Sequence, residues 1–78
     1  MKTKTVYDTE ITLTPQGILI DGDPLRDDEF VKLGGVRFET DTDENGDPVF
    51  LVDGDTFGPY ETESVRDLEL FDLIGTIP

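Results

Sequence analysis

Asp41-Thr42-Asp43-Glu44-Asn45-Gly46 is the stretch of this sequence whose residue types and spacing come nearest to a metal site. It matches the first six positions of an EF-hand loop. In such a loop alternate oxygen-bearing side chains converge on calcium while a glycine makes the sharp turn. The match then fails. The eighth position is Pro48 in place of an aliphatic residue, and the twelfth is Val52 in place of a bidentate glutamate. The flanks read as strands, not helices. Asp41, Asp43, Asn45 and Asp47, with Asp53 nearby, are left as a weak calcium alternative. The plainer reading is a solvated hairpin turn, with no metal and no cofactor.

Little other chemistry is on offer. The chain has no His and no Cys, and Ser64 is its one serine. A serine nucleophile without a histidine base cannot assemble the usual triad. No glycine-rich loop ends in Gly-Lys-Ser/Thr, as phosphate cradling requires. Carboxylate pairs abound, but glycoside hydrolysis also needs a cleft that holds a sugar, which so short a chain can hardly build. The expectation is a protein that is not an enzyme. Without cysteine there is neither a disulfide framework nor a thiolate metal site.

What the chain has in excess is negative charge: 19 Asp and Glu against 6 Lys and Arg, a formal −13 over 78 residues. Ordinary solubility is met by a net charge of roughly 2 to 8 in magnitude. The surplus carries a folding cost through self-repulsion. It also argues against direct binding to nucleic acid or to anionic membranes, both of which need basic patches. Lys2 and Lys4 lie near one terminus, and Lys32, Arg37 and Arg66 read as isolated. No apolar run approaches membrane-spanning length, and no apolar stretch follows the basic start as in a signal peptide. The expected setting is intracellular and cytoplasmic, the host cytoplasm if the chain is phage-encoded.

Glycine and proline divide the chain into the elements that must carry this charge. Thr5 to Thr14 alternates as a strand, with Tyr7, Thr9, Ile11 and Leu13 on one face. Thr14-Pro15-Gln16-Gly17 predicts a turn, and Gly17 to Asp21 a returning strand. Asp27 to Leu33 reads as a possible short helix stopped by Gly34-Gly35. Val36 to Thr40 is a third strand, Val49 to Val52 a central fourth, and Asp53-Gly54 a tight hairpin signal. Asp55 to Tyr60 is an edge strand, confined there by Pro59. Thr62 or Ser64 could cap a helix through about Ile74, with Gly75 as its stop; against it, Val65, Leu68, Leu70, Phe71, Leu73 and Ile74 surround a helical wheel, and Asp67-Leu68-Glu69-Leu70 alternates as a strand would. The predicted fold is α+β, one small domain over residues 1–78. It has an antiparallel sheet of about five strands (a hairpin plus a three-stranded meander), one C-terminal helix and possibly one short helix. Gly-Asp recurs after Asp21, Asn45 and Asp53; unequal spacing reads as three turns, not a repeat.

The acidic residues cluster on the turns and strand ends. Asp21, Asp23, Asp27, Asp28 and Glu29 form one group, Asp41, Asp43, Glu44 and Asp47 a second, and Asp53 and Asp55 a third. These are the candidate partner-binding residues. A chain of this length folds to a body about 30 Å across, and duplex DNA of that length carries about 18 phosphates. In size, acidity and lack of catalytic groups the chain resembles small phage-encoded inhibitors of host defence. Anti-CRISPR proteins, anti-restriction proteins and uracil-DNA glycosylase inhibitors are such groups. The resemblance is compositional and assigns no residue a role. It implies an inhibitor that occupies a basic nucleic-acid-binding site on a larger protein. The competing expectation is a non-catalytic interaction or structural domain: a small virion or complex subunit, or a halophilic protein. The sequence leaves monomer against homodimer open.

Overall fold

The computed structural model describes residues 1–76. Among them the chain forms eight strands and one helix: β1 (Lys2–Val6), β2 (Thr9–Thr14), β3 (Gly17–Ile20), β4 (Asp23–Pro24), β5 (Phe30–Leu33), β6 (Val36–Thr42), β7 (Pro48–Val52), β8 (Asp55–Phe57) and α1 (Glu63–Leu73). They build two four-stranded antiparallel sheets, each a simple meander in chain order, β1-β2-β3-β4 and β5-β6-β7-β8. The α+β class and the C-terminal helix stand as expected. The sheet count does not: there are two sheets of four strands where one of about five was expected.

Three local differences produce that change. The expected strand from Thr5 to Thr14 is broken at Tyr7-Asp8, both at positive φ (48° and 62°). Such a pair makes the two-residue hairpin turn whose twist suits its flanking strands. Neither residue is a glycine, and a tyrosine in the left-handed region is uncommon, so the alternation hid the turn. The second difference is at Asp27–Leu33, where the predicted short helix is absent. Phe30–Leu33 is strand β5, because Gly34-Gly35 adopts positive φ at both positions (60° and 84°) and pairs Leu33 with Val36 as a hairpin. Thirdly, Asp21-Gly22 does not end the first sheet but turns it into the two-residue strand β4.

The two sheets are variations on one plan. Asp21-Gly22 and Asp53-Gly54 share the same backbone, φ 50° and 87° at both corners. In each, the Asp N–H donates to a carbonyl on the neighbouring strand, Glu10 or Arg37, at 2.8 Å. In each, the Asp Oδ1 accepts that residue's N–H at 2.8 Å. The left-handed turn swings the Asp carbonyl out of the ladder, and the side chain fills its place. The recurrence Ile20-Asp21-Gly22-Asp23 and Val52-Asp53-Gly54-Asp55 therefore marks equivalent corners of two meanders.

Both sheets and the helix share one apolar core. Ile11 and Ile18 come from the first sheet, Leu33, Phe38, Phe50 and Val52 from the second, and Leu70, Phe71 and Ile74 from α1 or its end. Ile11 and Leu13 lie opposite Ile20 and Ile18 in register, so they share a face. β7 is an inner strand between β6 and β8, and its apolar run buries residues on both faces: Phe50 and Val52 on one, Val49 on the other. The expected edge strand Asp55 to Tyr60 stops as β8 at Phe57, so Pro59 lies beyond it; Phe50 stacks with Phe57 and Tyr60 at ring-centroid distances of 5.1 and 5.7 Å. A Cβ on Gly34 would overlap the Tyr7 ring, so the β1–β2 tip rests on the β5–β6 tip.

Helix α1 begins as the sequence predicts. Thr62 is extended, and its Oγ1 accepts the Val65 N–H at 3.2 Å. The buried stripe is Arg66, Asp67, Leu70, Phe71 and Ile74, a helical i, i+1, i+4, i+5, i+8 series. Its first turn is filled by an ion pair, while Val65 and Leu68 stay exposed. That exchange is why the apolar residues surround the helical wheel instead of forming a stripe. Among the described residues no helix is long and apolar enough to cross a membrane.

Candidate functional site

The candidate carboxylates divide into three structural sets. The largest gathers at the end of the second sheet that holds the β6–β7 turn. Asp43 organises that turn. Its Oδ1 accepts the N–H groups of Asn45 and Asp47, each at 2.9 Å, and Gly46 closes it at φ 85°, donating to the Asp43 carbonyl at 3.0 Å. An Asp that binds its own backbone two residues on is a turn former. This geometry supplies a structural reason for Asp-x-Asn-Gly at this point without calcium. Among the described residues no group of three or more acidic side chains is placed to hold a metal ion. Asp41 spends its Oδ1 on the Thr42 N–H, at 2.7 Å.

The chain segment before β5 is drawn onto the same end. Asp28 donates its N–H to the Thr40 carbonyl at 3.2 Å, and Asp27 Oδ2 accepts from Thr42 Oγ1 at 3.0 Å. Asp27, Asp28, Asp41, Asp43, Glu44 and Asp47 thus crowd one end of one sheet, although 14 positions of sequence separate Asp27 from Asp41. Asp28, Glu44 and Asp47 are exposed, and their side chains make no hydrogen bond or ion pair among the described residues.

A second set is two residues, Asp23 and Glu29. They line one groove of about 210 Å³ between the β3–β4 corner and the start of β5, beside Leu25 and Phe30. Glu29 Oε1 accepts the Arg26 N–H at 3.1 Å. The Asp23 side chain makes no hydrogen bond among the described residues. The third set is at the corners. Asp21 and Asp53 are committed to the backbone, as described above. Asp55 follows Asp53 at the opposite end of β7 from the Asp43 turn, a five-residue strand, which spans about 17 Å. The candidate residues therefore do not form one continuous face.

A buried charge cluster holds the crowded end together. Arg66 is 5% exposed; its Nε and Nη2 donate to Asp67 Oδ1, each at 3.1 Å. Its Nη1 donates to the Asp41 carbonyl at 3.1 Å and lies 3.6 Å from Asp27 Oδ1. One guanidinium thus ties the helix to β6 and to the segment before β5. Burial raises the Asp67 carboxyl above its ordinary range, and the Arg66 guanidinium offsets only part of that. Burial also lowers the Lys4 ammonium, partly opposed by Asp72; Lys4 lies 4.5 Å above the Phe71 ring.

The cations are less isolated than the sequence suggests. Arg66 sits on the helix stripe that buries Leu70. Lys32 and Arg37 are cross-strand neighbours in the register of β5 and β6. Arg37 pairs with Glu39 at 3.0 Å and lies 4.1 Å over the Phe30 ring. Hairpin register was the needed signal, and it hinged on recognising Gly34-Gly35 as a two-residue turn. No family model matches this chain, and comparison with curated proteins and with solved structures gives no match.

Proposed function

We propose that this chain is a non-catalytic, acidic binding protein. It presents DNA-like charge to a basic, nucleic-acid-binding site on a larger protein and blocks that site, in the manner of anti-CRISPR or anti-restriction inhibitors. The observation that carries the reading is the gathering of Asp27, Asp28, Asp41, Asp43, Glu44 and Asp47 at one end of one sheet, with Asp28, Glu44 and Asp47 exposed and unpaired among the described residues. The body measures 35 × 25 × 19 Å. Duplex DNA of that longest dimension carries about 20 phosphates; this chain carries a net charge of −13 on a body of the same length. Like-signed crowding destabilises the free fold, and a basic surface relieves it on contact.

The test is a captured basic partner challenged with duplex DNA. DNA displaces the chain, and reversing the charge at Asp28, Glu44 and Asp47 abolishes capture. Capture that survives both would reject the reading. A second reading, a general interaction or structural domain, is favoured by one observation. The outer face of β5 and β6 carries Phe30, Lys32 and Arg37, and a DNA mimic has no need of that mixed surface. Charge reversal of the acidic end would leave binding through that face intact.

A further inference from the structure

The groove between the two sheets has chemistry of its own. β4 is the last strand of the first sheet and β5 the first of the second, and the two do not pair with each other. The recess they leave has a volume of about 210 Å³ and an apolar floor of Ile20, Leu25 and Val31. Asp23, Glu29 and the Phe30 ring complete its wall. Asp23 and Glu29 are exposed, and Phe30 keeps 53% of its surface. Arg37 already lies 4.1 Å over one face of the Phe30 ring, so an incoming planar cation has only the ring surface that this contact leaves exposed.

We propose that this groove receives an arginine side chain of the basic partner protein, an inference that rests on the function proposed above. An arginine has a hydrocarbon stem that covers apolar floor while its charged head stays at the rim. Its planar fork matches carboxylates and stacks on aromatic rings, whereas the lysine ammonium is a compact, strongly hydrated point charge. Asp23 and Glu29 supply the complementary charge, and Leu25 and Phe30 the surface for the stem and the guanidinium plane. The crowded acidic end attracts any polycation from a distance; this groove selects among cations at contact. Arginine is also among the residue types enriched at the energetic centres of protein interfaces.

The test uses the full chain and two short capped peptides, Gly-Arg-Gly and Gly-Lys-Gly, titrated at fixed physiological ionic strength with amide chemical shifts as the readout. The arginine peptide shifts residues 20–25 and 29–31 more than residues 27, 28 and 41–47, and more than the lysine peptide does. The double variant Asp23→Asn, Glu29→Gln weakens arginine binding by about fivefold, the effect of losing two partly exposed ion pairs. The Glu29→Gln change keeps a side-chain oxygen to accept the Arg26 N–H, so the variant retains the local fold; an unchanged amide spectrum outside the groove checks this. Equal shifts at residues 27, 28 and 41–47, or equal response to the two peptides, would overturn the groove proposal. An oligoarginine peptide separates the two levels. If it binds the chain and the double variant alike, the groove is wrong and the charge-based function stands. If it binds neither, the function fails as well.

Discussion

Two aspartates in equivalent corners show how a residue that counts toward charge can serve structure. Asp21 and Asp53 each replace a missing ladder carbonyl with a side-chain oxygen at 2.8 Å, from a backbone at φ 50°. Asparagine keeps the acceptor and tolerates the left-handed region; alanine does neither. Asp53→Ala is expected to cost about 1–3 kcal/mol, the loss of a charge-assisted bond, and Asp53→Asn about a third of that or less. Urea denaturation of both variants checks the order. Equal losses would mean that charge at the corner matters more than the hydrogen bond. Asp67 gives a second residue-scale prediction. Its folded pKa is raised by burial above the ordinary 3.8, so the folded protein binds the proton more tightly than the unfolded chain. Stability therefore rises as pH falls through the raised value toward the ordinary one, and the gain ends below it. Asp67→Asn removes this component while leaving Arg66 a hydrogen-bond acceptor. Thermal melts across that range are expected to show a smaller gain on acidification for the variant than for the parent; an identical gain would place the effect elsewhere.

At the scale of elements, Arg66 ties α1 to β6 and to the segment before β5. Replacing it with alanine leaves Asp67 buried without a partner and frees Asp27 and the Asp41 carbonyl. Loss of one member of a buried pair costs about 3–5 kcal/mol. That is a large share of the stability expected for so short a chain, about 4–12 kcal/mol. Arg66→Ala is expected to unfold partly at ambient temperature, and far-UV circular dichroism with urea titration measures it. A loss under about 1 kcal/mol, the scale of a solvent-exposed pair, would show that solvent replaces these contacts. The elements themselves were unequally legible. The β2–β3 hairpin, the central β7, the Asp53-Gly54 turn, edge strand β8 and the capped helix are all specified by local chemistry: proline, glycine, a threonine cap, an unbroken apolar run. The failures have local causes too. Tyr7-Asp8 turns without a glycine, held by the Tyr7 ring against Gly34, a contact no local pattern announces. Asp27–Leu33 carries acidic residues suited to a helix start, but the glycine pair beyond it demands a strand. The crowding of Asp27 with the β6–β7 turn follows from that hairpin, so a helical reading of β5 leaves the site only half legible. The buried Arg66–Asp67 pair broke the apolar stripe that would have fixed the face of α1.

The whole molecule carries 19 acidic and 6 basic residues on a body 35 Å long, and its stability must respond to conditions that quiet self-repulsion. Added monovalent salt shortens the range of repulsion to about 8 Å at physiological strength, and acidification toward about pH 5 acts in the same direction. Both are expected to raise the melting temperature. A melting temperature lowered by both would mean that specific carboxylate pairs stabilise the fold more than crowding harms it. The same surplus is the ground for reading the chain as a mimic of nucleic-acid charge. The measurement that bears most directly on that claim is equilibrium competition, at two salt concentrations, between this chain and duplex DNA for a captured basic partner. Mutually exclusive binding is predicted, with the chain's affinity falling by about tenfold or more as the screening length shortens. Simultaneous binding of chain and DNA, or an affinity indifferent to salt, would contradict it.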